Sequence, residues 1–194
     1  MTAEIPALTP AAQRILDVAS ELFYRRGIHA VGVDTIAAES GVTKRTLYDR
    51  FGSKDGLLLA YLQARDDRWR ALVRAHVDAA TGRPRVLAPF DALAEWLAAG
   101  SRGCCFVNAA AELPDPEHPA RQPIRGSKQW LRELFRALLA AEGAPAPDLL
   151  ARQLLTLHEG ALVVASLTGE PTAVADARAA ADSLLPQRPR FAGR

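Results

Sequence analysis

"GVTKRTLYDRFGSKDGL", residues 41–57, sets four basic side chains (Lys44, Arg45, Arg50 and Lys54), two threonines and a tyrosine on a short apolar skeleton. Gly41 and Gly52 are helix stops, so the spacing predicts a short helix between them, Thr43 to Phe51. On a helical wheel Leu47 and Phe51 share one side. Arg45, Thr46, Tyr48 and Asp49 point away from them, and Thr43 and Lys44 take the leading end. A solvated surface helix would carry such charges for solubility alone. Between residues 43 and 54, however, the four basic groups face a single acid, Asp49. Charge this local suits a polyanion.

A second short helix, Val33 to Ser40, precedes the turn "SGV", where Ala37 and Gly41 are small enough for two helices to cross closely. Ile36, Val42, Leu47 and Phe51 can fill the wedge between these helices and a first one, Pro10 to Arg26. That helix has a core-facing stripe of Ile15, Val18, Ala19, Leu22 and Phe23. Thr9 is a fitting N-cap for it, with Pro10 at the first position and Gly27 as the stop. Ser53 caps a fourth, long helix through Leu57, Leu58, Tyr61, Leu62 and Trp69 to about Ala80. The order reads as a helix-turn-helix, whose second helix enters a major groove and contacts bases mainly through its N-terminal residues. Lys44 or Arg45 can donate to guanine O6 and N7. Thr43, Thr46 and the Tyr48 hydroxyl suit phosphate oxygens, and Arg50 adds to the local positive charge. Lys54 sits in the first turn of the fourth helix, where a cation is unfavourable by itself and a nearby phosphate would explain it. Asp49 can accept from cytosine N4 or pair with Arg45 one turn away.

The run "AVGVDTIAAESGVTKRTLYDRFGSKDGLLLAYL", residues 30–62, resembles the DNA-binding domain of TetR-family (tetracycline-repressor-like) transcriptional regulators. The matching marks are "IA" and "GV" in the first short helix and turn, "TLY" with a phenylalanine three residues on, and "SK" opening the next helix. The resemblance covers residues 10–62. It implies that Thr43, Lys44, Arg45 and Thr46 face the groove and that Tyr48 and Lys54 touch phosphate. It also implies a homodimer, an effector pocket in the C-terminal helices, and repression relieved by a small molecule. Gly32 stands where the family often has a Ser or Thr cap, so that hydroxyl's phosphate contact is not expected here.

With 194 residues, 49% hydrophobic and 24% charged, the chain has ordinary globular composition, and a net charge of +2 identifies no partner by itself. No apolar run approaches the ~20 residues of a membrane span, and the N-terminus lacks the pattern of a secretory signal. Cys104 and Cys105 are adjacent, with no other cysteine to pair, which fits a reducing cytoplasm. Apolar residues recur at helical spacing nearly everywhere, predicting an all-α fold of about nine helices. Past residue 86 these are "VLAPFDALAEWLAAG", "GCCFVNAAAEL", and helices near 122–143, 147–168 and 172–185, with "PDPEHPARQP" a loop. The expected division is a DNA-binding domain at 1–53, an effector-binding and dimerisation domain at 54–187, and a flexible tail at 188–194.

The helix "DLLARQLLTLHEGALVVASLTG" is apolar almost all round, so it should serve both its own core and a partner subunit. Leu154, Ala161 and Ala165, with Gly160 and with Val174 on the last helix, are the expected interface. Trp69, Trp96, Phe106, Asn108, Trp130 and His158 are the ligand-pocket candidates, since pockets are mostly apolar with a few placed polar groups. Arg132, Glu133 and Arg136 fall on the solvent face of their helix, which leaves few inward charges and predicts a small, mostly apolar effector. His158 beside Glu159 reads as a satisfied pair, and the cysteines as inert core without metal spacing. No cofactor is expected. An enzyme built on Cys104 or Cys105 with His158 lacks any supporting nucleophile, phosphate-loop or paired-acid motif. The other rival is a ligand-binding or scaffolding protein of the same fold that has lost DNA binding; Lys44, Arg45, Tyr48 and Lys54 argue against it.

Overall fold

The computed structural model describes residues 8–98 and 102–186. Among them the regular structure is all helix, in nine elements: α1 (Pro10–Arg26), α2 (Val33–Ser40), α3 (Lys44–Phe51), α4 (Lys54–Ala79), α5 (Arg83–Ala98), α6 (Cys105–Glu112), α7 (Arg121–Ala141), α8 (Pro147–Thr168) and α9 (Ala173–Leu184). Residues 99 and 100, at the end of the helix expected over "VLAPFDALAEWLAAG", and the tail expected at 188–194 lie outside the described residues. No helix among the described residues is long and apolar enough to cross a membrane.

The local chemistry of the helix ends explains their placement. The Thr9 hydroxyl accepts the Ala12 N–H at 3.3 Å, and the Ser53 hydroxyl accepts the Gly56 N–H at 3.0 Å. Thr43 lies just outside α3 as its cap, accepting the Thr46 N–H at 3.2 Å. Gly32, by contrast, caps α2 with no side-chain bond. Gly41 takes the left-handed φ of +66° that ends α2. α7 begins at Arg121, inside the segment expected to be loop, and Pro123 falls in its first turn. Proline is tolerated there because first-turn N–H groups have no intrahelical acceptor.

The described residues pack as two compact units, one within Met1–Asp67 and Cys105–Arg125, the other within Arg68–Cys104 and Gly126–Arg194. These units do not coincide with the division expected at residue 53, because the start of α4 and all of α6 pack with the helix-turn-helix. In the first unit, α1, α2 and α3 touch one another pairwise, and Ile15, Ile36, Leu47, Leu57 and Leu62 are wholly buried. Phe23 and Tyr61 set their rings 5.9 Å apart. Burial foremost, and the neighbouring Cys105 after it, push the Tyr61 hydroxyl far above its ordinary range, so it stays protonated.

The second unit is built on Val73, Leu87, Phe90, Leu93, Leu131, Phe135, Leu139, Leu154, Leu162 and Ala181. Here α9 packs on both α8 and α5. Two ion pairs fasten α9 to α5: Arg83 Nε with Asp182 Oδ1 and Arg178 Nε with Asp91 Oδ1, each at 2.7 Å. Arg132, Glu133 and Arg136 are exposed, and Leu131, Phe135 and Leu138 are buried, as the stripe in α7 predicts.

Most of the residues expected at the subunit interface are covered within one protomer. Leu154, Ala161 and Val174 are 0%, 5% and 8% exposed within one protomer, so they are already covered by their own core and have little area left for a partner. Ala165 is half-buried. The apolar surface that α8 leaves open lies elsewhere, at Val163, Val164 and Leu167, the last 81% exposed.

Candidate functional site

Leu47, fully buried, roots α3 in the first unit and turns the opposite face of the helix outward. Arg45, on that face, has a side chain 91% exposed, with Asp49 Oδ2 3.9 Å from its Nε. That is a loose pair in water, and it costs Arg45 little to leave. Lys44, Tyr48 and Arg50 are exposed as well, while Thr46 is half-buried. The Thr43 hydroxyl lies 3.0 Å from that of Thr46, in addition to its capping bond. Lys44 is paired with Asp34 in the first turn of α2. Sequence reasoning missed Asp34, because ten residues of separation give no periodic signal. Lys54 opens α4 with its Nζ 6.0 Å from the centre of the Phe23 ring. A Cβ at Gly56 would run into the Phe51 carbonyl, so the α3–α4 junction is closely packed and holds α3 against α4. The eight residues singled out by sequence therefore share one short helix and its two flanks, with positive charge and hydroxyls facing solvent.

A second feature of this unit was not legible in sequence. The Glu112 carboxylate, at the end of α6, accepts the backbone N–H groups of Ile28 at 3.0 Å and His29 at 2.8 Å. His29 Nε2 lies 2.6 Å from the Glu112 carbonyl oxygen. Gly27, at φ +93°, makes room for this clasp: a Cβ there would meet Glu112 Oε1 at 3.2 Å. Nearby, His118 Nδ1 accepts the Ala120 N–H at 3.1 Å, so its proton sits on Nε2, 3.7 Å from Asp55 Oδ2. Glu112 thus anchors the turn that delivers the chain from α1 to α2. Glu112→Ala should cost about 1–2 kcal/mol, roughly 2–8 °C in melting temperature, and should weaken DNA binding with it. Glu112→Gln, which keeps one of the two acceptor oxygens and loses the charge, should recover only part of both; a melting curve unchanged by Glu112→Ala would show that the clasp bears no weight.

The six pocket candidates divide between the units. Phe106, buried, and Asn108, half-buried, lie on α6 in the first. In the second, Trp69 meets Trp96 edge-on at 5.6 Å and His158 at 5.7 Å. At Trp130 the guanidinium groups of Arg70 and Arg74 lie 4.9 and 5.6 Å from the ring. His158 is not half of a satisfied pair. Its Nδ1 is 3.7 Å from Glu159 Oε1, too far for a hydrogen bond, and both Glu159 oxygens are taken by Lys128 Nζ at 2.8 and 2.7 Å. Burial opposes the charge on Glu159, but the Lys128 ammonium, bonded to both oxygens, outweighs it and holds the carboxyl at about 2. Cys105 is buried, as expected of inert core, whereas Cys104 is half-buried with its Sγ 3.3 Å from Lys128 Nζ.

Residues 15–61 match the family model for bacterial regulatory proteins of the tetR family, and residues 82–181 match that for the tetracyclin repressor-like C-terminal domain. A crystal structure of SCO4454, a TetR-family transcriptional regulator from Streptomyces coelicolor, superposes with a TM-score of 0.82 at 34% identity, covering 90% of this chain and 87% of that one. The transcriptional activator FasR of Mycolicibacterium smegmatis is 40% identical over 112 residues, 57% of this chain and about half (51%) of FasR itself. The transcriptional repressor DhaR of Mycobacterium sp. (strain GP1) is 26% identical over 166 residues, 81% of this chain and 83% of DhaR. The chain belongs to the TetR family. It is a DNA-binding transcriptional regulator, not an enzyme.

Proposed function

We propose that the protein is a homodimeric, cytoplasmic repressor that holds a palindromic operator through α3 and releases it when a small, mostly apolar effector binds. Residues 1–53, together with Lys54 at the start of α4, carry the DNA contacts, and the remainder to residue 187 carries the effector and the dimer. Arg45 and Lys44 read base edges. Thr43, Thr46, Tyr48, Arg50 and Lys54 hold phosphates, and Asp49 either accepts from cytosine or steadies Arg45. The observation that carries this reading is Arg45, 91% exposed near the leading end of a helix whose opposite face is locked down by Leu47. For the effector, support comes from the aromatic cluster of Trp69, Trp96 and His158. For the dimer, it comes from the open apolar stripe of α8.

Activation is a second reading, favoured by the likeness to FasR, an activator. Footprinting on DNA flanking the gene should show two symmetric half-sites about one helical turn apart, ~34–36 Å. Protection overlapping the promoter supports repression; protection upstream of it, with expression lost on deletion of the gene, supports activation. Protection without twofold symmetry would remove the dimer from the account. By linkage, an effector that weakens operator binding must itself bind more weakly, by the same factor, when operator is present.

A further inference from the structure

His158 is 2% exposed, and neither of its ring nitrogens has a hydrogen-bond partner among the described residues. Around it stand the rings of Phe90 at 5.5 Å, Trp69 at 5.7 Å and Phe135 at 6.4 Å, with Trp96 against Trp69. A leucine or phenylalanine at this position would suit such surroundings without stranding a donor and an acceptor away from water, which is costly. A buried polar group left unpaired in this way calls for something that pairs with it.

We infer that His158 is the hydrogen-bonding anchor for an uncharged aromatic ligand that carries a hydroxyl. The aromatic body follows from the walls, since rings pack edge-on and offset against rings. The lack of charge follows from the neighbours. Glu159, 3.7 Å from the imidazole, has both oxygens on Lys128, so the pair is neutral overall and offers a free counter-charge to neither an anion nor a cation. The hydroxyl follows from the imidazole. A neutral ring offers one donor and one acceptor whichever tautomer it adopts, and a hydroxyl can answer either, whereas a carbonyl can answer only the donor. The inference deepens the effector reading and rests on it only for its regulatory consequence.

Calorimetry on the full chain with phenol, toluene, benzoate and benzylammonium tests the assignment. Phenol should bind wild type about tenfold more tightly than toluene, the worth of one hydrogen bond, and the two charged probes should bind more weakly still. His158→Phe should erase the preference for phenol while keeping toluene, and without ligand it should melt at or above the wild-type temperature. His158→Gln, which keeps a donor and an acceptor, should restore part of the preference. No phenol binding by wild type, equal affinity for phenol and toluene, tighter binding of a charged probe, or a His158→Phe chain that melts well below wild type would each overturn the assignment. His158-dependent phenol binding that leaves operator affinity unchanged would keep the site and remove the effector reading. Operator release by phenol that ignores His158 would do the reverse.

Discussion

Leu167→Glu should give a folded monomer that binds operator on the order of a hundredfold or more weakly than wild type. The side chain is 81% exposed in the protomer, and Val163 and Val164, a turn before it, are each 44% exposed. A charge at 167 therefore disturbs nothing inside one chain. In the proposed dimer it would be desolvated against apolar surface, and an unpaired buried charge costs several kcal/mol. Operator affinity follows the dimer, because the second half-site is engaged at the high effective concentration that linkage to the first provides, and a monomer loses that gain. Ala161→Glu makes the contrast. Ala161 is 5% exposed within its own protomer, so its substitution should lower the melting temperature sharply instead of simply parting the subunits. Sedimentation velocity and melting curves on the two variants separate the cases. A Leu167→Glu chain that still sediments as a dimer would move the interface off this face of α8.

The difference between those two positions shows where sequence stops being legible. The helix-turn-helix could be read almost to the residue, because its signals are local: Thr9, Gly27, Gly41, Ser53 and the pair Leu47 and Phe51 act within a turn or two of where they stand. α8 is apolar around most of its circumference, so periodicity marks it as helix without saying which side its own core will take. The core took Leu154, Ala161 and Leu162 and left Val163, Val164 and Leu167. Clasps between distant segments had no signal at all. Glu112 reaches back 84 residues to the Ile28 N–H, and a lone glutamate at the end of a short apolar helix looks like any solvated residue. His158 could be picked out but not interpreted. Its sequence neighbour Glu159 suggested a partner, whereas Lys128, 31 residues away from Glu159, claims that carboxylate and leaves the imidazole unpaired.

Arg45→Ala and Lys54→Ala should weaken operator binding in two distinguishable ways. Arg45 stands on the exposed face of α3 with only the loose pairing to Asp49 to hold it, so it can reorient to a base edge without giving up a strong bond. A good bidentate arginine–guanine pair discriminates by ~1–3 kcal/mol. Two subunits double that, and Arg45→Ala should therefore cost about 2–6 kcal/mol on the intact operator and relax preference at one symmetric position per half-site. Affinity for unrelated DNA should fall much less. Lys54 opens α4, outside the recognition helix α3, where free N–H groups already favour an anion. Lys54→Ala should weaken operator and unrelated DNA alike and flatten the salt dependence by about one per subunit, since a phosphate that is no longer neutralised keeps its condensed counterion. Lys44→Ala should fall between the two, because Lys44 must first leave Asp34. Binding curves for the three variants, on operator and on unrelated DNA across a salt series, test the scheme. If Arg45→Ala lowers both affinities by one factor and leaves base preference intact, Arg45 binds phosphate, and sequence is read by another residue of α3.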